Sequence, residues 1–309
     1  MSRVAVLMGG WSPEREVSLV SGKACAEGLR EGGHQVVEYD VKRDLRALVD
    51  FLRPASGGGP DVVFNALHGR YGEDGCIQGV LDILDIPYTH SGLLASALAM
   101  NKPMAKRLFQ AAGIPVAEGK VVQRDAVLAG DPMPRPYVVK PTDEGSSVGV
   151  RIVMAGDNAL PFERDGWPYG EEVLVERYIP GRELTVSVMG DRALAVTELR
   201  PHEGFYDYAA KYTAGKTTHL VPAPVPEPIT RACLDYALRA HQALGCRGVS
   251  RADFRYDDTK GGRGELYLLE INTQPGMTPL SLVPEQAAYL GMSFAALVSW
   301  MVENAACDR

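Results

Sequence analysis

Short apolar runs alternate with amphipathic stretches along this chain, and the alternation changes character after Gly113. Residues 3–8 are an apolar run broken by Gly9 and Gly10, which reads as a first strand entering a turn. Ser12-Pro13-Glu14 opens an expected helix to about residue 31, with Ser12 as N-cap and Pro13 at the first helical position. Gly32 and Gly33 stop it. The pattern then predicts a strand over 35–40, a helix over 45–52, a strand over 61–66, a helix over 76–84 and a short fourth strand at Ile86-Pro87-Tyr88. Strand and helix in turn imply a small parallel α/β domain.

A helix over 102–112 ends at Gly113, and the chain then becomes strand-rich. Strands are expected at 137–140, 148–153, 172–178, 183–189 and 193–200, with few helices between them. A helix at 231–244 precedes two strands, 249–256 and 265–271, expected to run antiparallel. The tail over 285–305 reads as helical, with Leu290, Phe294, Leu297, Val298 and Met301 near helical spacing. This second region is α+β.

Composition narrows the function classes. The 309 residues suffice for two or three domains, and 46% apolar with 23% charged residues is ordinary for a soluble globular protein. A net charge of −7 argues against a nucleic-acid binder but leaves room for a local basic pocket. No apolar stretch is long enough to span a bilayer, and the N-terminus reads as a strand rather than a signal peptide. The five scattered cysteines lack metal-ligand spacing, as expected of reduced thiols in a cytoplasmic protein.

Four groups of residues carry candidate chemistry. The most informative is the strand that holds Glu270 and Asn272. Side chains at i and i+2 of a strand share a face, so a carboxylate and an amide oxygen project together. That is a hard-oxygen pair of the kind Mg²⁺ uses while it holds nucleotide phosphates. Gly276 follows, where bare backbone can approach a reacting group. Arg251 and Asp253 share a face by the same argument. If their strand neighbours the Glu270 strand, Asp253 joins Glu270 and Asn272 at a cation site, and Arg251 is placed to stabilise an oxyanion. A surface ion pair between Arg251 and Asp253 also fits the spacing.

Lys140 begins a loop with Gly145, Ser146, Ser147 and Gly149. The free backbone, the hydroxyls and the fixed charge suit phosphate oxygens, although a glycine–serine hairpin with a chance lysine has the same pattern. It is not a Walker motif. Glu176 ends one strand and Glu183 begins the next, an arrangement that places Glu176 against a purine amino group and Glu183 against ribose hydroxyls, while Pro180-Gly181 is also a plain turn signal. The first strand-to-helix turn lacks a dinucleotide fingerprint. Glu14 there suits either the helix dipole or a substrate ammonium. His68 follows a strand end in glycine-rich surroundings, where open α/β sheets hold ligands.

These strings, in this order, resemble the D-alanine–D-alanine ligase family of the ATP-grasp superfamily. They are Gly9-Gly10 with Ser12 and 14–18, 66–69 with 72–75, Lys140-Pro141 with 144–149, 205–208 with Lys211-Tyr212, and 270–278 followed by 281–284. The resemblance covers nearly the whole chain. It implies an N-terminal parallel α/β domain (1–98) followed by an ATP-grasp fold of two α+β domains (99–182 and 183–309). It implies a reaction in which ATP phosphorylates one D-alanine to an acyl phosphate, which the amine of a second D-alanine attacks through a tetrahedral intermediate. Carried over, Lys102, Lys140, Ser147 and Lys211 bind phosphates. Glu176 meets adenine with the backbone of Tyr178 or Ile179, and Glu183 meets ribose. Asp253, Glu270 and Asn272 hold two Mg²⁺ or Mn²⁺. Arg251 and the Gly276 N–H form the oxyanion site, Glu14 and His68 lie with the first D-alanine, and Ser281 and Leu282 bind the second. Glu14, Ser146 and Tyr212 form a hydrogen-bonded trio, under a lid over 201–221. The resemblance also implies a cytoplasmic homodimer. Relatives that use D-lactate are expected to carry His in place of Tyr212. Asn101, Gln274 and Arg177-Tyr178 depart from the usual pattern.

Overall fold

The computed structural model describes residues 1–143, 145, 149–157, 167, 170–202, 215–259 and 261–308. Three sheets organise it. The first is parallel, in the order β2 (Gln35–Val41), β1 (Arg3–Gly9), β3 (Val62–Asn65), and Tyr88 extends it by one parallel bridge to Val63. Parallel strands covered on both faces need near-continuous apolar runs, and β1 has one from Val4 to Met8. Val4, Val6 and Met8 enter one core while Ala5 and Leu7 enter the other. The helices around this sheet are α1 (Arg15–Glu31), α2 (Leu45–Leu52) and α3 (Cys76–Ile83); α4 (Leu93–Met100) follows and sends Ala99 into the core of the third sheet below.

Then come α5 (Lys102–Ala111), β4 (Gly119–Gln123), α6 (Arg124–Ala129), β5 (Tyr137–Pro141), β6 (Arg151–Val153) and β7 (Glu172–Arg177). The four strands form an antiparallel sheet in the order β4-β7-β5-β6. Its core is small, built on Val127, Tyr137, Val139, Val153, Val173 and Val175. The third sheet is antiparallel, in the order β10 (Thr217–Leu220), β9 (Arg192–Pro201), β8 (Arg182–Met189), β11 (Val249–Asp257), β12 (Glu265–Asn272). The helix α7 (Glu227–Ala243) packs on it through Ile229, Cys233, Ala237 and Ala240. Phe109 of α5 enters the same core, so α5 is tied to the five-stranded sheet although the four-stranded one follows it in sequence.

Four expectations are corrected. The first helix begins at Arg15, with Glu14 as its N-cap residue, and Ser12 instead accepts from Glu14 N (3.2 Å) and donates to His68 O (2.7 Å). A whole helix, α4, was not anticipated; its sequence is apolar nearly all round and offers no clear stripe. The tail is two helices, α8 (Leu282–Tyr289) and α9 (Phe294–Glu303), because Gly291 takes φ +83° and Ser293 caps a new start by accepting from Ala296 N. The proposed lid of 201–221 contains an ordered strand, β10, paired to β9. Residues 203–214 lie outside the described residues.

The tail returns to the first sheet. Leu297, Val298, Met301 and Val302 of α9 share a core with Val4, Val6 and Leu29. Gly28 of α1 lets α9 come close: a Cβ there would lie 3.0 Å from Phe294. Among the described residues no helix is long and apolar enough to cross a membrane.

Candidate active site

The site is built where the two antiparallel sheets and the C-terminal edge of the parallel sheet approach one another. A β-bulge aims β12, the edge strand that carries Glu270 and Asn272. In the β11–β12 ladder Asp253 stands opposite Glu270, but Phe254 stands opposite Leu268, so Leu269 is an extra residue. Before the bulge Leu266 and Leu268 point into the core, and after it Ile271 does. An unbroken alternation would have put Glu270 and Asn272 on the face of Leu266 and Leu268, inside the core. The bulge shifts the phase by one and turns both polar residues outward. The doubled Leu268-Leu269 is its sequence sign.

A cavity of about 460 Å³ lies beside this strand. Lys102, Lys140, Glu176, Tyr178, Ile179, Glu183, Asp253 and Glu270 all line it. Arg182, Glu198 and Arg255 line it as well and were not singled out from sequence. Their signal is visible only in register: Arg255 stands opposite Glu183 across β11 and β8, and its Nη1 lies 3.5 Å from that carboxylate. Arg182 grips the buried Glu198 with two bonds of 2.8 and 2.6 Å.

Glu176 is the electrostatic centre of the cavity. It is 4% exposed and pairs with Lys140 through one carboxylate oxygen and with Lys106 through the other. Burial pushes its carboxyl up, but the two ammonium groups outweigh burial and hold it below the ordinary value. Lys106 itself is pushed down by burial, a shift that Glu176 partly offsets.

Arg251 and Asp253 form a bidentate pair, 2.8 and 2.7 Å, and Thr185 Oγ1 donates to Asp253 Oδ1 at 2.7 Å. The ion pair is therefore present, yet it is buried in the site and not on the surface. Lys102 Nζ lies 3.8 Å from Glu270. Asn272 Oδ1 accepts from Gln274 N at 2.8 Å, which fixes the amide while leaving a lone pair. Asp253 and Glu270 directly opposite one another would repel without cations nearby. Two carboxylates and an amide oxygen are the donor set that hard divalent cations such as Mg²⁺ or Mn²⁺ prefer, so the residues fit such ions.

A cleft of about 40 Å³ joins this strand to the parallel sheet, lined by Lys102, Glu270, Asn272, Gly145 and Glu73. A Cβ on Gly145 would lie 2.9 Å from Glu73 Oε1 and 3.5 Å from Glu14 Oε2, so both carboxyls reach the loop that follows Lys140. Glu73 was missed as a site residue. Its aim depends on a turn in which Asn65 Nδ2 and Gln78 Nε2 both donate to Gly72 O, at 2.9 and 3.0 Å. Burial, then Glu14 and Glu270, push its carboxyl well above the ordinary range. His68 is 6% exposed, and its ring nitrogen meets Ser21 Oγ at 3.3 Å. Burial, with repulsion from Arg251, lowers it to about 4, so it is neutral at physiological pH. Ser21 Oγ also accepts from Met277 N (3.3 Å), which links His68 to the backbone after Gly276.

Gly276 and Ser281 sit in one tight turn. A Cβ on Gly276 would be 3.0 Å from Ser281 Oγ, and that hydroxyl accepts from Thr278 N at 2.9 Å. Leu282 opens α8 and is buried against Leu199. Ser146, Ser147, Lys211 and Tyr212 lie outside the described residues.

Residues 108–303 match a family model described as D-ala D-ala ligase C-terminus, and residues 44–91 match D-ala D-ala ligase N-terminus. A D-alanine–D-alanine ligase of Parvibaculum lavamentivorans is 59% identical over 308 residues, 99% of this chain and 98% of that protein. One from Rhodospirillum rubrum is 60% identical over 307 residues, 99% of each. This chain belongs to the D-alanine–D-alanine ligase family. Among solved structures, the D-alanine–D-alanine ligase of Bacillus anthracis complexed with ATP superposes with a TM-score of 0.80 at 27% identity, covering 98% of this chain and 97% of that one. A D-Ala:D-Ser ligase from Enterococcus faecalis gives 0.77 at 27% identity, covering 97% and 98%. The ligase's two antiparallel sheets are the ATP-grasp halves. Of its departures from the family pattern, Asn101 caps α5 by accepting from Met104 N (3.0 Å), and Gln274 is buried with its amide donating to Asn65 O.

Proposed function

We propose that this ligase joins two D-alanines into D-alanyl-D-alanine, with ATP converted to ADP and phosphate, in the supply of peptidoglycan precursors. The observation that carries the reading is the convergence on one cavity of two lysines, the Glu176 and Glu183 carboxylates and the Asp253–Glu270 pair. Family membership at 59% identity over the full length supports the same chemistry.

In this reading ATP lies between the antiparallel sheets. Glu176 takes the adenine amino group with the backbone of Tyr178 or Ile179, and Glu183 takes ribose hydroxyls. Lys102 and Lys140 bind phosphates, with Ser147 and Lys211. Asp253, Glu270 and Asn272 hold two Mg²⁺ or Mn²⁺, which when bound neutralise phosphate charge and bring two anions together. Glu14 orients the first D-alanine through its ammonium, beside His68. The carboxylate of this first D-alanine attacks the γ-phosphate, ADP leaves, and a D-alanyl acyl phosphate results. The second D-alanine, its carboxylate held by Ser281 and Leu282, attacks the carbonyl with its amine, and phosphate leaves. Arg251 and the Gly276 N–H carry the charge of the tetrahedral oxyanion. Glu14, Ser146 and Tyr212 close the site, and exclusion of water protects the acyl phosphate from hydrolysis.

The proposal includes a division at 1–98, 99–182 and 183–309, with the final helices returning to the first unit, and a cytoplasmic homodimer. The acceptor needs its own test, because a D-Ala:D-Ser ligase shares this fold. Tyr212, in place of histidine, supports D-alanine over D-lactate. Phosphate release is measured with ATP and Mg²⁺ plus D-alanine, L-alanine, or D-alanine with D-lactate, and products are identified by mass. Release with D-alanine alone, alongside the dipeptide, is expected; dominant D-lactate incorporation overturns the acceptor, and no release in any mixture overturns the reaction.

A further inference from the structure

Lys106 is a buried charge that the reaction above leaves unused. It stands one turn beyond Lys102 on α5, on the same face of the helix. Lys102 lines the cavity, whereas Lys106 does not. Lys106 is 7% exposed, Glu176 4% and Lys140 8%, so three charges share a space nearly closed to water. Lys106 Nζ donates to Ala117 O at 2.7 Å and to Glu176 Oε1, while Lys140 pairs with Glu176 Oε2.

This division has a consequence for both partners. A lone Glu176–Lys140 pair would be neutral and would close on itself, because attraction between unit charges rises steeply as the dielectric falls. Removing one member of a buried charge network also exposes the rest to desolvation cost. With one oxygen taken by Lys106, the carboxylate is shared between two ammonium groups. The trio keeps a surplus positive charge, and Lys140 keeps donors that Glu176 does not claim. Glu176 is held ionised and fixed in orientation by two partners on different elements, α5 and β5.

We propose that Lys106 is a positioning residue for the nucleotide: by holding Glu176 Oε1 it keeps Glu176 aimed at the base and leaves Lys140 free to donate to phosphate. The proposal rests on the reading of this cavity as the ATP site. It is distinct from a role confined to satisfying the Ala117 carbonyl, which would affect folding alone.

The test measures binding of ATP and of inosine triphosphate, which lacks the base amino group, by calorimetry with Mg²⁺. The proteins are wild type, K106M, K106R, E176Q and the double variant K106M/E176Q, and thermal unfolding is recorded for each. Wild type is expected to prefer ATP. K106M is expected to bind ATP at least tenfold more weakly and to lose most of that preference, and K106R to keep part of both. The double variant should bind ATP no more weakly than E176Q, since Lys106 acts only through Glu176. If K106M does not fold, equality of the double variant with E176Q still supports the role, and a further tenfold loss in the double variant overturns it. K106M with a lowered melting temperature but wild-type ATP affinity and preference overturns the proposal alone. A wild-type chain that binds neither nucleotide overturns both this proposal and the cavity reading.

Discussion

The cavity lined by Lys140 and Glu176 and the edge of the parallel sheet bury ionisable groups by opposite means. In the cavity, buried charges have opposite partners at hydrogen-bond distance: Glu176 with two lysines, Asp253 with Arg251, Glu198 with Arg182. At the parallel-sheet edge, Glu73 is crowded by Glu14 and its carboxyl is pushed up, and His68 is held neutral at a pKa of about 4. Pairing keeps charge in place for a polyanion that arrives with its own cations. Burial and the neighbouring Glu14 push the Glu73 carboxyl up, with Lys102 offsetting part of the shift. On the proposed reading, the two regions meet ligand groups of opposite charge.

The largest expected effect tests the cavity side. Glu270→Gln keeps the shape of the strand but removes a charge from the donor set. Turnover should fall on the order of a thousandfold, the scale of several kcal/mol of transition-state stabilisation, with a much smaller change in ATP affinity. Comparing kcat with nucleotide binding checks this, and equal loss of both would sink a transition-state role.

Acid should separate the two regions next. Burial lowers His68 and His241 to about 4 and His90 to about 3, each below the ordinary 6.5. The unfolded chain therefore binds protons that the folded histidines refuse. Stability from these groups is present above pH 6.5 and falls as pH drops from there toward 4, at most by about 1.4 kcal/mol per pH unit for each histidine. Glu176 is shifted in the same direction but acts in a more acid window: its contribution is present above its ordinary 4.5 and is lost only as pH falls below that toward its lowered folded value. Urea unfolding across pH 4–7 should show a loss that begins near 6.5, and His90→Gln should flatten it. A flat profile down to pH 5 would contradict the histidine account.

A smaller effect probes the parallel-sheet edge alone. Gly69 has φ +69°, and a Cβ there would lie 2.5 Å from Glu14 Oε2. Gly69→Ala should cost about 1–3 kcal/mol of stability from backbone strain and raise the KM for D-alanine while sparing that for ATP. A KM increase confined to ATP would reverse the assignment of the two regions. The smallest effect concerns α5, which carries Lys102 and Lys106. Asn101→Ala removes its cap and should cost about 1 kcal/mol, whereas Asn101→Asp should be neutral or slightly stabilising. Chemical denaturation of both variants measures the difference.

Much of the fold was legible because its elements announce themselves locally. The apolar run of β1, the glycine stops after α1 and Ala112, and the α2 and α3 patterns needed no tertiary information. Four elements were missed, α4, β4, α6 and β10; of these α4 is apolar nearly all round, and β4 is a short strand with exposed residues at most positions. Glu270 and Asn272 could be read together because the i, i+2 rule is local, and both lie beyond the bulge. Glu73 and Lys106 could not, since each owes its role to partners on other elements.

By itself, then, the sequence determined which residues carry oxygen donors and fixed charges, where most strands and helices lie, and which family pattern they follow. Only the tertiary structure decided which face of β12 looks outward, that Arg251 and Asp253 are paired out of water, and that Glu176 is shared between two lysines. The physical reason is range. Periodicity, caps and turn residues act within a few positions of the chain, whereas burial and pairing of charge depend on strands brought together by the cores around them.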